Sequence, residues 1–225
     1  MLLEITSLSK SFKQKSILND ISFSIHEGEI GLIGPNGSGK TTLLNILMGM
    51  VRPTSGSFQL QSNSTVGMSV SRKGFFDDMT VNNNLLHHAC LLGASEESVN
   101  KILIEFSIDY IHQRFNTLSA GMKQRVSLVL PFIRKNTLVF LDEPTNHLDI
   151  DSILLLRQTI LREKKNNKAS FLITSHILSD LEKVCDRILF LKDGVIVKNS
   201  LTHLLLEEYG NLEEAYIEIL QAPKK

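Results

Sequence analysis

Gly34-Pro35-Asn36-Gly37-Ser38-Gly39-Lys40-Thr41 fits the pattern G-x-x-x-x-G-K-[ST], a glycine-rich loop set between an apolar run at residues 30–33 and a helical pattern that opens near Lys40. The glycines let backbone N–H groups turn inward around a phosphate, and the N-terminus of the following helix adds a favourable dipole. Lys40 supplies a mobile positive charge for phosphate oxygens. Thr41 supplies a hydroxyl for Mg²⁺, with Thr42 as its neighbour. A plain flexible turn is the competing reading, and the strand before and helix after count against it. The first expectation is a site for a nucleotide phosphate.

A chain of 225 residues with 42% hydrophobic residues can bury a substantial core, as one large α/β domain or two small ones. Lys+Arg and Asp+Glu are equal at 24 each, so no overall positive field draws nucleic acid or an anionic membrane surface. Cys90 and Cys185 have no metal-ligand spacing, and Glu4 and Lys10 interrupt the short apolar start, which does not resemble a signal peptide. A reduced, cytoplasmic chain is expected. No apolar run approaches the roughly 20 residues that span a bilayer. If the protein works at a membrane, another chain must cross it.

Residues 2–7 and 17–25 have strand character, the second alternating as Ile21, Phe23 and Ile25. Phe12 lies between them in a polar stretch, where it could stack on a base or serve as an ordinary core residue. After the loop, a helix at 41–48 is expected to stop at Gly49, with a turn at 52–56 and short strands at 57–60 and 65–70. From 71 to 131 the apolar residues recur at helical spacing, which marks a helical insertion. Strand character returns at 137–141, 170–174, 187–191 and 194–197, and helical patterns separate the first three. This predicts a parallel sheet with crossover helices. Two short helices divided by Gly210-Asn211 are expected at the end.

Leu138-Val139-Phe140-Leu141-Asp142-Glu143 is an apolar strand ending in two acids. In phosphate-loop nucleotidases an acid at this strand end orients the Mg²⁺ shell opposite the loop hydroxyl. Asp142 suits that role. Glu143, one residue further, is placed to accept a proton from a water attacking the γ-phosphate. A solvated strand end is the bland alternative.

With both sites placed, nearly the whole chain resembles the ATP-binding subunits of ABC transporters. Leu118-Ser119-Ala120-Gly121-Met122-Lys123-Gln124-Arg125 resembles the family's signature segment, which implies that Ser119 and Gly121 meet the γ-phosphate held by a second subunit. Free N–H groups at a helix start make such anion contact physically credible, although Ser119 would also serve as a bare helix cap. Pro144-Thr145-Asn146-His147-Leu148-Asp149 resembles the segment that carries communication across the dimer, with Asp149 as its acid. Ser175-His176 resembles the switch histidine. Phe12 corresponds to the adenine-stacking aromatic. The other six histidines read as surface or helix-end residues.

Ala120 replaces a glycine of the usual pair, and Ser71 stands where the family places a Gln, or in one subgroup often a Glu, that touches Mg²⁺ and water; the resemblance implies that the shorter serine reaches the metal only through a water. The resemblance implies a single ATP-binding domain over 1–225, with a phosphate-loop nucleotidase core at 1–70 and 132–225, N-terminal antiparallel strands, and an inserted helical subdomain at 71–131. It implies ATP and Mg²⁺ as cofactors and a second copy or homologous ATPase chain as partner. A separate transmembrane permease would hold the chain at the inner face of the cell membrane, and no nucleic acid is expected. The bacitracin- and lantibiotic-immunity subgroup is the nearest match and leans towards export of a peptide, antibiotic or other amphiphile. A soluble ABC-type switch on the ribosome or another cytosolic assembly is the alternative.

Overall fold

Residues 1–69 and 74–221 are described by the computed structural model. Two sheets organise it. Strands β1 (Leu3–Phe12), β2 (Lys15–Ile25) and β4 (Ser55–Leu60) form an antiparallel sheet in the order β2-β1-β4. Strands β3 (Glu29–Ile33), β5 (Val66–Met68), β6 (Leu138–Asp142), β7 (Ser170–Thr174), β8 (Arg187–Lys192) and β9 (Val195–Leu201) form a second sheet in the order β5-β6-β7-β3-β8-β9. Its strands run parallel except β9, which closes it as an antiparallel hairpin with β8.

The larger sheet is buried on both faces, which is why its central strands read as unbroken apolar runs. Period-2 alternation sends Leu138, Phe140, Leu172, Leu189 and Leu191 to a core shared with the antiparallel sheet. It sends Val139, Leu141, Phe171, Ile173, Ile188 and Phe190 to a core beneath the helices. Helix α1 (Lys40–Leu47) fills the space between the sheets through Leu43, Leu44, Ile46 and Leu47.

Helices α2 (Val81–Leu92), α3 (Glu96–Glu105) and α4 (Ala120–Val129) lie between β5 and β6 in the chain. Thr80, Ser95 and Ser119 cap them, each accepting a backbone N–H three residues on. Crossovers α5 (Ile150–Asn167) and α6 (Leu178–Val184) follow β6 and β7, and α7 (Thr202–Tyr209) and α8 (Leu212–Tyr216) close the chain. A last helical turn at Ile217–Gln221 continues from α8.

Several sequence expectations change: β5 stops at Met68 within the expected 65–70, and β9 runs on to Leu201, past the expected 194–197. Phe12 is the last residue of β1 rather than part of a polar connection, because β1 pairs with β2 as far as Phe12↔Lys15. Ser55 and Gly56 belong to β4 rather than to a turn. Gly56 sits at φ 74 with its backbone so close to Ser7 that a Cβ would fall 2.2 Å from the Ser7 carbonyl oxygen, at an irregularity in the β1–β4 ladder.

Candidate functional site

The phosphate loop leaves β3 at the C-terminal edge of the larger sheet and enters α1. Gly39 precedes the helix at φ 109, a conformation that L side chains rarely adopt, with Leu18 and Ile17 of β2 against it. A Cβ on Gly34 would lie 2.2 Å from the Leu191 carbonyl oxygen and 2.6 Å from Ser38 Oγ. The loop is therefore closely packed on its sheet side, whereas Gly37 faces open space. Asn36, Gly37 and Thr41 are exposed, and Pro35 and Thr42 are half-buried. Ser38 Oγ is buried without a hydrogen-bond partner among the described residues, an orphan that a phosphate oxygen would satisfy.

Lys40 is nearly buried, and its Nζ donates to the carbonyls of Gly34 (2.6 Å) and Pro35 (3.2 Å). Burial pulls its ammonium below the usual lysine range, against the opposing charges of Glu143 and Asp142. Those two acids reach the same sheet edge because β6 lies two strands from β3, with β7 between them. Asp142 Oδ1 accepts from Thr174 Oγ1 at 2.6 Å. Glu143 takes a left-handed backbone at φ 46, and its Oε2 lies 2.5 Å from Asn146 Nδ2 and 3.3 Å from His176 Nδ1. His176 stands half-exposed just beyond β7, and Ser175 fixes the turn by accepting the Ile177 N–H at 2.9 Å.

Ser119 and Gly121 lie elsewhere. Ser119 caps α4, and Ala120, its first residue, is exposed and free of positive φ, so its methyl meets no steric objection. Gly121 packs on the turn after Glu143 so closely that a Cβ would sit 2.7 Å from the His147 carbonyl oxygen. The same helix donates from Gln124 Nε2 to the Pro144 carbonyl (3.1 Å) and pairs Arg125 with Asp149 (2.9 Å). Asp149 in turn caps α5 by accepting the Ser152 N–H at 2.8 Å; the Ser152 side chain first, then that N–H, aided by Arg125, lower its carboxyl below the ordinary value. Among the described residues no hydrogen bond or ion pair joins Ser119 or Gly121 to the phosphate loop. Phe12 ends the β1–β2 hairpin, about half exposed, with Lys10 Nζ 4.7 Å from its ring centroid. Ser71 lies outside the described residues.

The family model described as ABC transporter matches residues 18–146, more than half of the chain. The chain belongs to the ABC transporter family. It is an ATP-binding subunit of that family and an ATPase. A lantibiotic transport ATP-binding protein, SrtF of Streptococcus pyogenes, is 34% identical over 227 residues that cover 96% of both chains. An uncharacterised ABC transporter ATP-binding protein of Methanocaldococcus jannaschii is 33% identical over 99% of this chain and 84% of its own length. A solved ATP-binding subunit of an ABC transporter superposes with a TM-score of 0.87 at 25% identity, covering 97% of this chain and 99% of that one. A solved dimeric ABC transporter cassette shares the fold at a TM-score of 0.80 and 19% identity, covering 89% of this chain and 99% of its own. No helix among the described residues is long and apolar enough to cross a membrane.

Three residues of the constellation escaped the sequence reading: Thr174, Asn146 and Arg125. Their only advance signals were a polar residue ending an apolar strand and polar residues inside stretches already marked for other reasons.

Proposed function

We propose that two copies of this chain, or one copy and a homologous ATPase chain, close around two ATP molecules and drive a separate membrane permease. The convergence of Lys40, Asp142, Glu143 and His176 on one sheet edge carries this reading. Lys40 exchanges its hold on the Gly34 and Pro35 carbonyls for the β- and γ-phosphate oxygens, and residues 34–39 with Thr41 and Thr42 cradle the phosphates. Phe12 stacks on the base. The exposed Thr41 hydroxyl and the Asp142 carboxylate are hard oxygen donors that suit Mg²⁺, which when bound neutralises phosphate charge. Glu143 takes the proton of the attacking water, and His176 contacts the γ-phosphate.

Ser119 and Gly121 contact the ATP of the other copy, and Asp149 lies at the junction. The separation of α4's first turn from its own phosphate loop supports this shared arrangement. The helical part at 71–131 transmits closure and release to the permease, which holds the chain at the inner face of the cell membrane. The likeness to a lantibiotic transport protein supports export of a peptide or other amphiphile. Purification of the tagged chain from detergent-solubilised membranes tests this: a polytopic apolar chain should co-purify and raise its ATPase rate. Sedimentation with ribosomes and no membrane partner would overturn it.

A further inference from the structure

Thr174 ends β7, between the strand that carries the phosphate loop and the strand that carries the acids. It pairs across the sheet with Leu32 on one side and Asp142 on the other, and it is fully buried. Packing alone asks nothing of a hydroxyl here; valine has the same shape, and a buried hydroxyl is unfavourable unless bonded. This one is bonded twice. Glu143 N–H donates to Thr174 Oγ1 at 2.8 Å, and Thr174 Oγ1 lies 2.6 Å from Asp142 Oδ1.

The direction of both bonds follows from the groups. An amide N–H can only donate, a carboxylate oxygen accepts, and a hydroxyl has one proton. The relay therefore runs from the Glu143 amide through the Thr174 hydroxyl to the Asp142 carboxylate. At one end it pins Oδ1 with a charge-assisted bond. At the other it helps to hold Glu143 at φ 46, a left-handed backbone that is strained for a non-glycine residue. The Thr174 carbonyl adds a second acceptor for the same N–H at 3.2 Å. From that backbone the Glu143 side chain reaches Asn146 and His176.

We propose that the Thr174 hydroxyl is a positioning residue that fixes the metal-side acid and the water-side acid relative to each other. This rests on the roles given above to Asp142 and Glu143. Phosphoryl transfer to water depends on positioning more than on covalent chemistry, so an error in that relation acts on the chemical step. ATP held by the loop glycines and Lys40 is left alone.

The test compares Thr174→Val and Thr174→Ser in the full chain. For Thr174→Val, kcat and the Mn²⁺ affinity of the ATP-bound chain, read by electron paramagnetic resonance, should each fall about 10–100-fold, with KM for ATP nearly unchanged; Thr174→Ser should restore both to within about twofold. If the valine chain does not fold, Thr174→Cys, similar in size and only a weak donor, carries the same expectation. Wild-type kcat and Mn²⁺ affinity in Thr174→Val, or a folded Thr174→Ser as impaired as Thr174→Val, would overturn the proposal. Glu143→Gln run in parallel keeps the failures apart. Full turnover there strikes the role of Glu143, whereas an inactive Glu143→Gln beside an unaffected Thr174→Val strikes Thr174 alone.

Discussion

Glu143 combines an unfavourable backbone with two short side-chain contacts, to Asn146 and His176. An ordinary solvated strand end would relax the first and lack the second, so local stability does not account for the residue. Replacing its carboxylate by an amide keeps the shape and an acceptor for Asn146 but removes the proton acceptor. Glu143→Gln is expected to bind ATP with wild-type affinity while losing at least about 100-fold in turnover. Steady-state hydrolysis and equilibrium nucleotide binding check this together, and wild-type turnover would remove Glu143 as the base. Phe12 calls for a different measurement. Phe12→Ala should weaken ATP binding by about 1–3 kcal/mol and Phe12→Tyr should not, because stacking needs only a π-face. Nucleotide titration decides it, and unchanged affinity in Phe12→Ala would assign that exposed ring elsewhere.

Helix α4 is tied to the turn after Glu143 by three contacts of unequal worth: Gly121 on His147, Gln124 on Pro144, and Arg125 with Asp149. Arg125–Asp149 is a partly exposed ion pair, and such pairs contribute about 0–1 kcal/mol. The Gly121 contact is steric and meets backbone, which cannot swing aside as a side chain can. Gly121→Ala should therefore cost about 1–3 kcal/mol, more than Arg125→Ala, and should shift the turn that follows Glu143. Urea unfolding midpoints rank the two variants, and the opposite order would mean that the helix hangs on its charge pair. These contacts also mark where sequence reading stops. The strands and α1 were legible because the larger sheet is buried on both faces and its runs are continuous, and the phosphate loop was legible because its chemistry is contiguous. Gly121 was read only as a phosphate contact because its close neighbour, His147, is remote in sequence. Thr174 was passed over for the same reason, its partners Asp142 and Glu143 being 32 and 31 residues away. The β1 end at Phe12 was missed because pairing with β2 overrides a polar local sequence.

The sheet carries its chemistry at one end and a buried charge at the other, on the same strand. Glu29 opens β3, five residues before the phosphate loop, with its side chain fully buried. It meets Lys164 from the last turn of α5 and, through its backbone N–H, Asp186 from the approach to β8, and its Oε1 has no hydrogen-bond partner among the described residues. Burial pushes the Glu29 carboxyl up to about 7, only partly offset by Lys164. For Asp186 burial also pushes upward, but the bonds from Lys164 and Glu29 outweigh it and hold that carboxyl below its ordinary value. Lys164 is raised despite burial, and the Cys185 thiol is raised well up by burial, so both titrate on the alkaline side. Glu29 is therefore the member that titrates near neutrality. Below its unfolded value of 4.5 it is protonated in both states. Between 4.5 and about 7 the folded chain keeps a proton that the unfolded chain has released, so this contribution to stability falls as pH rises. Above 7 both states are ionised and the deficit stays constant, at a size on the order of 3 kcal/mol. Asp186 acts at lower pH, where its contribution is lost as pH falls, whereas His88, lowered by burial, contributes stability that is lost as pH falls below its ordinary 6.5 and so opposes the Glu29 slope in part. From about pH 5 to pH 8 the unfolding midpoint of the wild-type chain should decline relative to that of Glu29→Gln, whose amide cannot ionise. The same pH dependence in both chains would place the titrating group elsewhere and leave Glu29 ionised against Lys164 throughout.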